Sequence, residues 1–433
     1  MRLVSFSLFL LFGCAPALAQ LRAPIRGDHY EIHSEGEPAE AQEWLRVLEA
    51  AWPQFVAYFG AEPRLKPEER MQVLLYNTQA AYKAGCESDG VGDPGGGGGL
   101  YAFKTSKAYF FRQPSAYYTR ALMIHECAHQ FHHRIHGNRE MAGWYVEGVA
   151  EDLAQHTWDG ERLQTAIVAP ISLENYPAQA LELVSKPEFD LNKWKDDGGG
   201  IERPVGMHMV RLLRTHKSYA KRFANARKRL DDGQRIQKAE WVASFGAADK
   251  LASELRRLIA DNQQPFLVSF VDWDSRRVDR VENRPVFELR GTAPTVVSAA
   301  RTRMQAQWLE FEVSFPAQGG RVGAQLDWLA TNDHTVLLIN GAGTGFVQRM
   351  TPDKGWVNLM NVFTIPAKDG QQGFGTRTVR LERAVAEDGS LVAVILLDGA
   401  ELRRVQVRNT HFGPAFDSGV FDFRKLRFEA SGT

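Results

Sequence analysis

The stretch MIHECAHQFHH, Met123–His133, places four histidines in eleven residues, and His136 follows closely. His125, Glu126 and His129 spell HExxH. On an α-helix, residues i and i+4 share one face about 6 Å apart along the axis, so these two imidazoles converge on one ion. Glu126 lies between them, where its carboxylate can take a proton from a water that the ion activates. Cys127 is rotated about 200° from His125 and falls on the opposite face. With Ile124, Phe131 and Ile135 it forms the buried side of the helix, and it is not a ligand. His132 lies about 10 Å along the axis from His125, too far to join both members of the first pair on one metal, and His136 is a further turn away. A catalytic zinc keeps three protein ligands and one open position, so a third ligand must come from another segment.

Working outward, the helix opens near Ser115 and closes at Gly137. Before it, KAYFFRQ (Lys107–Gln113) has strand composition, and GVGDPGGGGGLYAF (Gly90–Phe103) carries a glycine run that regular structure does not accommodate. Further back, HYEIHS and MQVLLYN read as strands, and AEAQEWLRVLEAAWPQFVAYFG reads as a helix ending on Gly60. Downstream, a second helix starts near Gly143 and holds WYVEGVAEDLAQH. VGMHMVRLLRTH and YAKRFANARKRL continue the helical pattern. Residues 20–262 thus read as an α+β domain, a small sheet plus helices.

The pattern changes at DNQQP, Asp261–Pro265. Beyond it come short runs of strand composition, among them WLEFEVSF, HTVLLIN and LVAVILLDG. Asp398-Gly399 joins two of them as a tight hairpin. Residues 266–433 read as an all-β sandwich domain.

WYVEGVAE puts Glu147 eighteen residues after His129, with Glu151 four later on the same helical face. The combination of HExxH and this segment resembles the gluzincins, the zinc metallopeptidases that include the thermolysin and aminopeptidase N types. The resemblance runs from about Leu100 to Leu213 and is strongest over Leu122–Glu151. It implies a zincin-like fold, Zn2+ as cofactor, His125, His129 and Glu147 as ligands, Glu126 as general base, and a peptide or protein substrate. Glu151 matches a carboxylate that orients a ligand histidine through its outer ring nitrogen. In that clan an edge strand before the metal helix binds the substrate backbone, which points to Tyr101–Arg112, with Tyr101 and Tyr109 as substrate-binding residues. The metzincin pattern does not fit, because it needs Gly at position 132 and His at position 135, where this chain has His132 and Ile135. The chain also departs from aminopeptidase N relatives. It has Arg203 where their oxyanion-stabilising Tyr falls, and it lacks their G-x-M-E-N motif. Arg203, or His208 as second choice, is the candidate donor for a developing oxyanion.

LLDGAELRRVQV and SGVFDFRKLRFEA resemble the closing strands of concanavalin A-like and laminin-G-like sandwiches. That likeness implies a carbohydrate or protein ligand, for which Trp308, Trp328 and Trp356 form either a stacking platform or ordinary core packing. Lys plus Arg balance Asp plus Glu at 52 each, which gives no electrostatic support for a nucleic-acid partner. MRLVSFSLFLLFG followed by APALAQ reads as a signal peptide over residues 1–19, with no later transmembrane segment. The expected location is therefore extracytoplasmic, periplasmic or secreted, although LFGC offers lipidation of Cys14 as an alternative. After that cut only Cys86 and Cys127 remain, one disulfide at most. The expected activity is metal-dependent peptide hydrolysis. The alternatives are a non-catalytic binding protein with a degenerate peptidase domain, or a zinc hydrolase acting on a non-peptide bond.

Overall fold

The computed structural model describes residues 21–113, 116–137, 139–158, 160–167, 176–192, 202–262, 266–268, 278–281, 284–293, 297–298, 300–302, 305–314, 320–330, 332–365, 375–417 and 419–430. The signal-peptide and Cys14 readings lie outside these residues. Among the described residues, no helix is long and apolar enough to cross a membrane.

The first part of the chain builds a five-stranded sheet from β1 (Ile25–Arg26), β2 (Tyr30–Ser34), β3 (Met71–Tyr76), β4 (Gly99–Ala102) and β5 (Lys107–Phe111). The spatial order is β1-β2-β3-β5-β4, which leaves β4 at an edge. β2, β3 and β5 are parallel, and β4 runs antiparallel to β5. Between the strands come α1 (Pro38–Phe59) and α2 (Gln79–Ser88), and after them α3 (Ala116–His136) and α4 (Gly143–Ala154). Proline in its first turn starts α1, and Gly60 ends it in the left-handed region at φ 70°, its N–H donating to Val56 O.

Alternation along the strands sorts residues between two layers. Val73, Leu75, Ala108 and Phe110 face α1 and α3 in the main core, beside Ile124, Cys127 and Phe131. Leu74, Tyr76 and Tyr109 face the other way and pack with Tyr82 and Cys86 of α2. Cys86 and Cys127 therefore lie in different cores, and both are free thiols. A layer of later helices follows: α5 (Tyr176–Val184), α6 (Arg203–Thr215), α7 (Ala220–Asp231), α8 (Lys238–Phe245) and α9 (Ala248–Asp261).

Among the described residues from 266 onward, all regular structure is β. One antiparallel sheet orders its strands Ala400–Gln406, Leu391–Leu397, Thr376–Val385, Ala306–Ser314, Gly419–Ala430, Arg284–Ala293 and Val278–Val281. A second contains Val297–Ser298, Gly413–Asp417, Arg321–Ala330, Asp333–Asn340, Thr344–Thr351 and Gly355–Asn358. Leu309, Phe311, Val379 and Leu381 of the first share one core with Val322, Ala324, Leu337 and Ile339 of the second. The region is thus a pair of sheets closed over an apolar interior, as the succession of short strand-like runs predicts. The turn at Asp398-Gly399 has φ 50° and 83°, the paired left-handed residues of a two-residue hairpin. Tyr117 of α3 inserts into this β core, where it is buried.

Candidate metal centre

α3 crosses beneath the sheet with Ile124, Cys127 and Phe131 turned into the main core. The helical offset that buries Cys127 turns His125 and His129 toward α4. Their Nε2 atoms stand 3.0 Å apart, with ring centroids 4.7 Å apart and planes nearly perpendicular at 86°. From α4, Glu147 brings Oε2 to 3.5 Å from His125 Nε2 and Oε1 to 3.6 Å from His129 Nε2. Bonds of about 2.0–2.1 Å at tetrahedral angles would separate ligand atoms by about 3.3–3.4 Å. The two edges to Glu147 end on different carboxylate oxygens, and with one ligand atom taken from each residue the three atoms all lie within 4.8 Å of one another, close enough to converge on one ion. Glu147 Oε2 is buried without a well-formed hydrogen bond. Two imidazole acceptors and a carboxylate aimed at one point suit a borderline divalent metal such as zinc.

Behind the triad, Glu151 Oε1 lies 3.4 Å from His125 Nδ1 and accepts a 3.2 Å hydrogen bond from Tyr176 Oη. Glu151 thus has the helical position and contact needed to fix the orientation of the His125 ring. Arg203, at the start of α6, reaches both carboxylates: Nε is 3.2 Å from Glu147 Oε2 and Nη1 is 3.5 Å from Glu151 Oε1. Two glycines make this approach feasible. A Cβ on Gly148 would stand 2.5 Å from Gly206 O, and one on Gly206 would stand 2.9 Å from Trp144 O. Only bare backbone lets α4 and α6 cross this closely.

Glu126 is 5% exposed. Burial pushes its carboxyl up to about 7, against the opposing pull of the His125 and Arg203 charges. The Tyr101 N–H donates to it. An N–H spent on Glu126 is not available to β5, so the carboxylate meets β4 from its unpaired side. Gly99 allows the contact, since a Cβ there would lie 3.0 Å from Glu126 Cγ. Burial lowers His125, but the carboxylates of Glu151, Glu147 and Glu126 outweigh it and raise the ring to about 9. Burial and the His125 charge hold His129 well below the usual histidine range. Glu147 is lowered despite burial, because the His125 ring beside it and the Arg203 charge favour its carboxylate.

Two sequence expectations need correction. Tyr109 does not face the centre. It lies on the α2 side of β5, fully buried, with its hydroxyl donating 2.7 Å to Asp89 and lying 3.0 Å from Thr105 Oγ1. Alternation along β5 gives the α3 side to Ala108 and Phe110 instead. His208 is fully buried in α6, with Nδ1 2.7 Å from Pro204 O. Burial lowers it to about 4, and its charged neighbours are Arg211 and Asp152 rather than the triad. Tyr101 lies on the α3 side, but its ring is buried and stacked on His133 at 5.7 Å, so its backbone is what borders the centre. Tyr176 was missed by sequence reasoning, because it belongs to no motif and approaches Glu151 only through the packing of α5.

In the β region, Trp328 stacks on His334 at 4.8 Å, and His334 meets the edge of Trp356 at 5.3 Å. Trp308 lies on the other sheet, under the Arg380 guanidinium and bonded to Glu429. The three tryptophans do not form one platform.

No family model matches this chain, and no curated protein matches it. Among solved structures, a carbohydrate-binding module from Bacillus subtilis aligns with 38% of this chain and 96% of its own, at 9% identity and TM-score 0.27. Galectin LEC-6 of Caenorhabditis elegans aligns with 32% of this chain and 95% of its own, at 13% identity and TM-score 0.23. An endo-β-1,4-glucuronan lyase of Trichoderma reesei aligns at 12% identity and TM-score 0.24, over 37% and 87% of the two chains. Similarity at this level carries no argument about function.

Proposed function

We propose that this chain is a zinc-dependent hydrolase that cleaves peptide bonds. The observation that supports this is the conjunction of His125, His129 and Glu147, whose ligand atoms lie within 4.8 Å of one another, with Glu126 set against the unpaired edge of β4. A zinc ion held by His125, His129 and Glu147 would supply a Lewis acid and lower the pKa of a water to about 7. The residues of the chain provide the rest. A substrate segment laid along the free edge of β4 would pair with the backbone groups there that Glu126 does not occupy, which favours an extended peptide over other acyl compounds. Glu126, with its carboxyl near neutrality, takes the proton from the attacking water and returns it to the departing amine. Glu151 orients His125, and Arg203 holds Glu147 and Glu151 in place. Arg203 stands beside Glu147 with its side chain half exposed, and its positive charge is the proposed partner of a developing oxyanion.

The test is metal analysis together with cleavage of a peptide library by the whole protein. His125→Ala, His129→Ala and Glu147→Ala should each remove one equivalent of zinc. Glu126→Gln should keep that equivalent and lose about 10²–10⁴ in turnover. A Glu126→Gln protein with undiminished turnover would refute the assignment. A zinc-loaded wild type that cleaves no peptide would favour a binding role or a different bond.

A further inference from the structure

α3 carries a second pair of histidines at the same spacing as the first. His132 and His136 are i and i+4, seven residues beyond His125 and His129. Seven residues advance a helix by about 10 Å and return to within about 20° of the same face. The two pairs therefore look out from one side of α3. Their ring geometry also repeats. His132 and His136 have centroids 5.3 Å apart at 87°, against 4.7 Å and 86° for the first pair. Each pair is met by a carboxylate from a later helix. Glu147 of α4 faces the first, and Asp231, the last residue of α7, faces the second. Asp231 Oδ1 is 2.8 Å from His132 Nε2, and Oδ2 is 3.6 Å from His136 Nε2.

We propose that His132, His136 and Asp231 form a second binding site for a divalent transition metal, one that ties α3 to α7 and takes no part in hydrolysis. His132 and Asp231 are buried, and the Nε2 atom of His136 is buried with no hydrogen-bond partner, so a ring nitrogen is aimed at the carboxylate without a donor between them. His136 is still 22% exposed through its side chain, which gives an ion a path from solvent. Tyr145 Oη donates 2.5 Å to Asp231 Oδ1 and fixes the carboxylate. A cation, Arg227, lies nearby, with its Nε 3.5 Å from Asp231 Oδ2. Its other two nitrogens are already occupied by Tyr58 O and Phe59 O at the end of α1. Two imidazoles and one carboxylate select zinc or a similar borderline ion over magnesium or calcium, which demand oxygen ligands. The competing occupant is a proton shared by His132 and Asp231, and stoichiometry separates the two.

The experiment loads the full chain with Zn2+, dialyses it against a weak chelator and counts metal by mass spectrometry, with Co2+ absorption spectra as a second readout. The wild type should hold two equivalents. His136→Ala should hold one and keep the hydrolytic activity, His125→Ala should hold one without activity, and the double variant should hold none. A wild type with one equivalent that is lost in His125→Ala overturns this site and leaves the first intact. One equivalent that survives in His125→Ala and disappears in His136→Ala would instead overturn the first centre. Two equivalents retained in both His136→Ala and His136→Gln would also sink the proposal.

Discussion

His156 is fully buried against the ring of Tyr117, centroids 4.6 Å apart, with Nδ1 2.8 Å from Ala154 O and Nε2 3.4 Å from Arg120 Nε. Burial, reinforced by the Arg120 charge, lowers its pKa to about 3. The folded value lies below the ordinary value near 6.5, so between those two pH values the unfolded chain binds a proton that the folded chain refuses. The contribution of His156 is fully present above about pH 6.5 and is lost as pH falls toward 3. Urea midpoints should therefore drop on acidification from pH 7 to pH 5, and the drop should be smaller in His156→Asn. An identical pH slope in the two proteins would show that His156 does not control it. HExxH was legible at this scale because its chemistry depends only on helical spacing. The contacts of His156 and the hydroxyl of Tyr176 were not, since each depends on residues brought together by tertiary packing.

At the scale of elements, the crossing of α4 and α6 sets the positions of Glu147, Glu151 and Arg203 together. Gly148 immediately follows Glu147, and its missing side chain is what lets α6 approach. Gly148→Val should cost about 1–3 kcal/mol or more, since a Cβ cannot share space with a backbone carbonyl. It should also weaken zinc retention by pushing Arg203 and its helix away from Glu147, measurable by thermal denaturation with and without chelator. A variant with unchanged melting temperature and metal content would show that the helices adjust freely. The glycine after Glu147 was visible in the sequence as part of a motif, but its purpose was not, because the partner Gly206 lies 58 residues away. Tyr109 gives the opposite lesson. Its place in a strand was readable, yet a period of two leaves the choice of face to whichever layer lies above and below the sheet. Only the packing of α2 against Tyr109 decides it.

Across the whole molecule, the last described helix ends at Asp261, and the described elements from Phe266 onward are strands. The two parts are nonetheless joined by Tyr117, which lies in the first turn of α3 and packs in the β core. Tyr117→Ala should cost about 3–5 kcal/mol, mainly in the β part, and should separate the two units into distinct calorimetric transitions. A variant that still melts as a single unit like wild type would mean that the joint lies elsewhere. The Asp398-Gly399 hairpin bears on a different property, the chemical lifetime of the chain. An Asp-Gly bond is where proteins age, since the glycine nitrogen can attack the aspartyl side chain, close a succinimide and reopen it as isoaspartate. Here one carboxylate oxygen accepts the Thr378 N–H at 2.9 Å and the other is held by Arg377. The contacts that stitch this turn to the neighbouring strand hold the carboxylate and restrict its rotation, so the hairpin should resist the rearrangement its sequence invites for as long as the fold is intact.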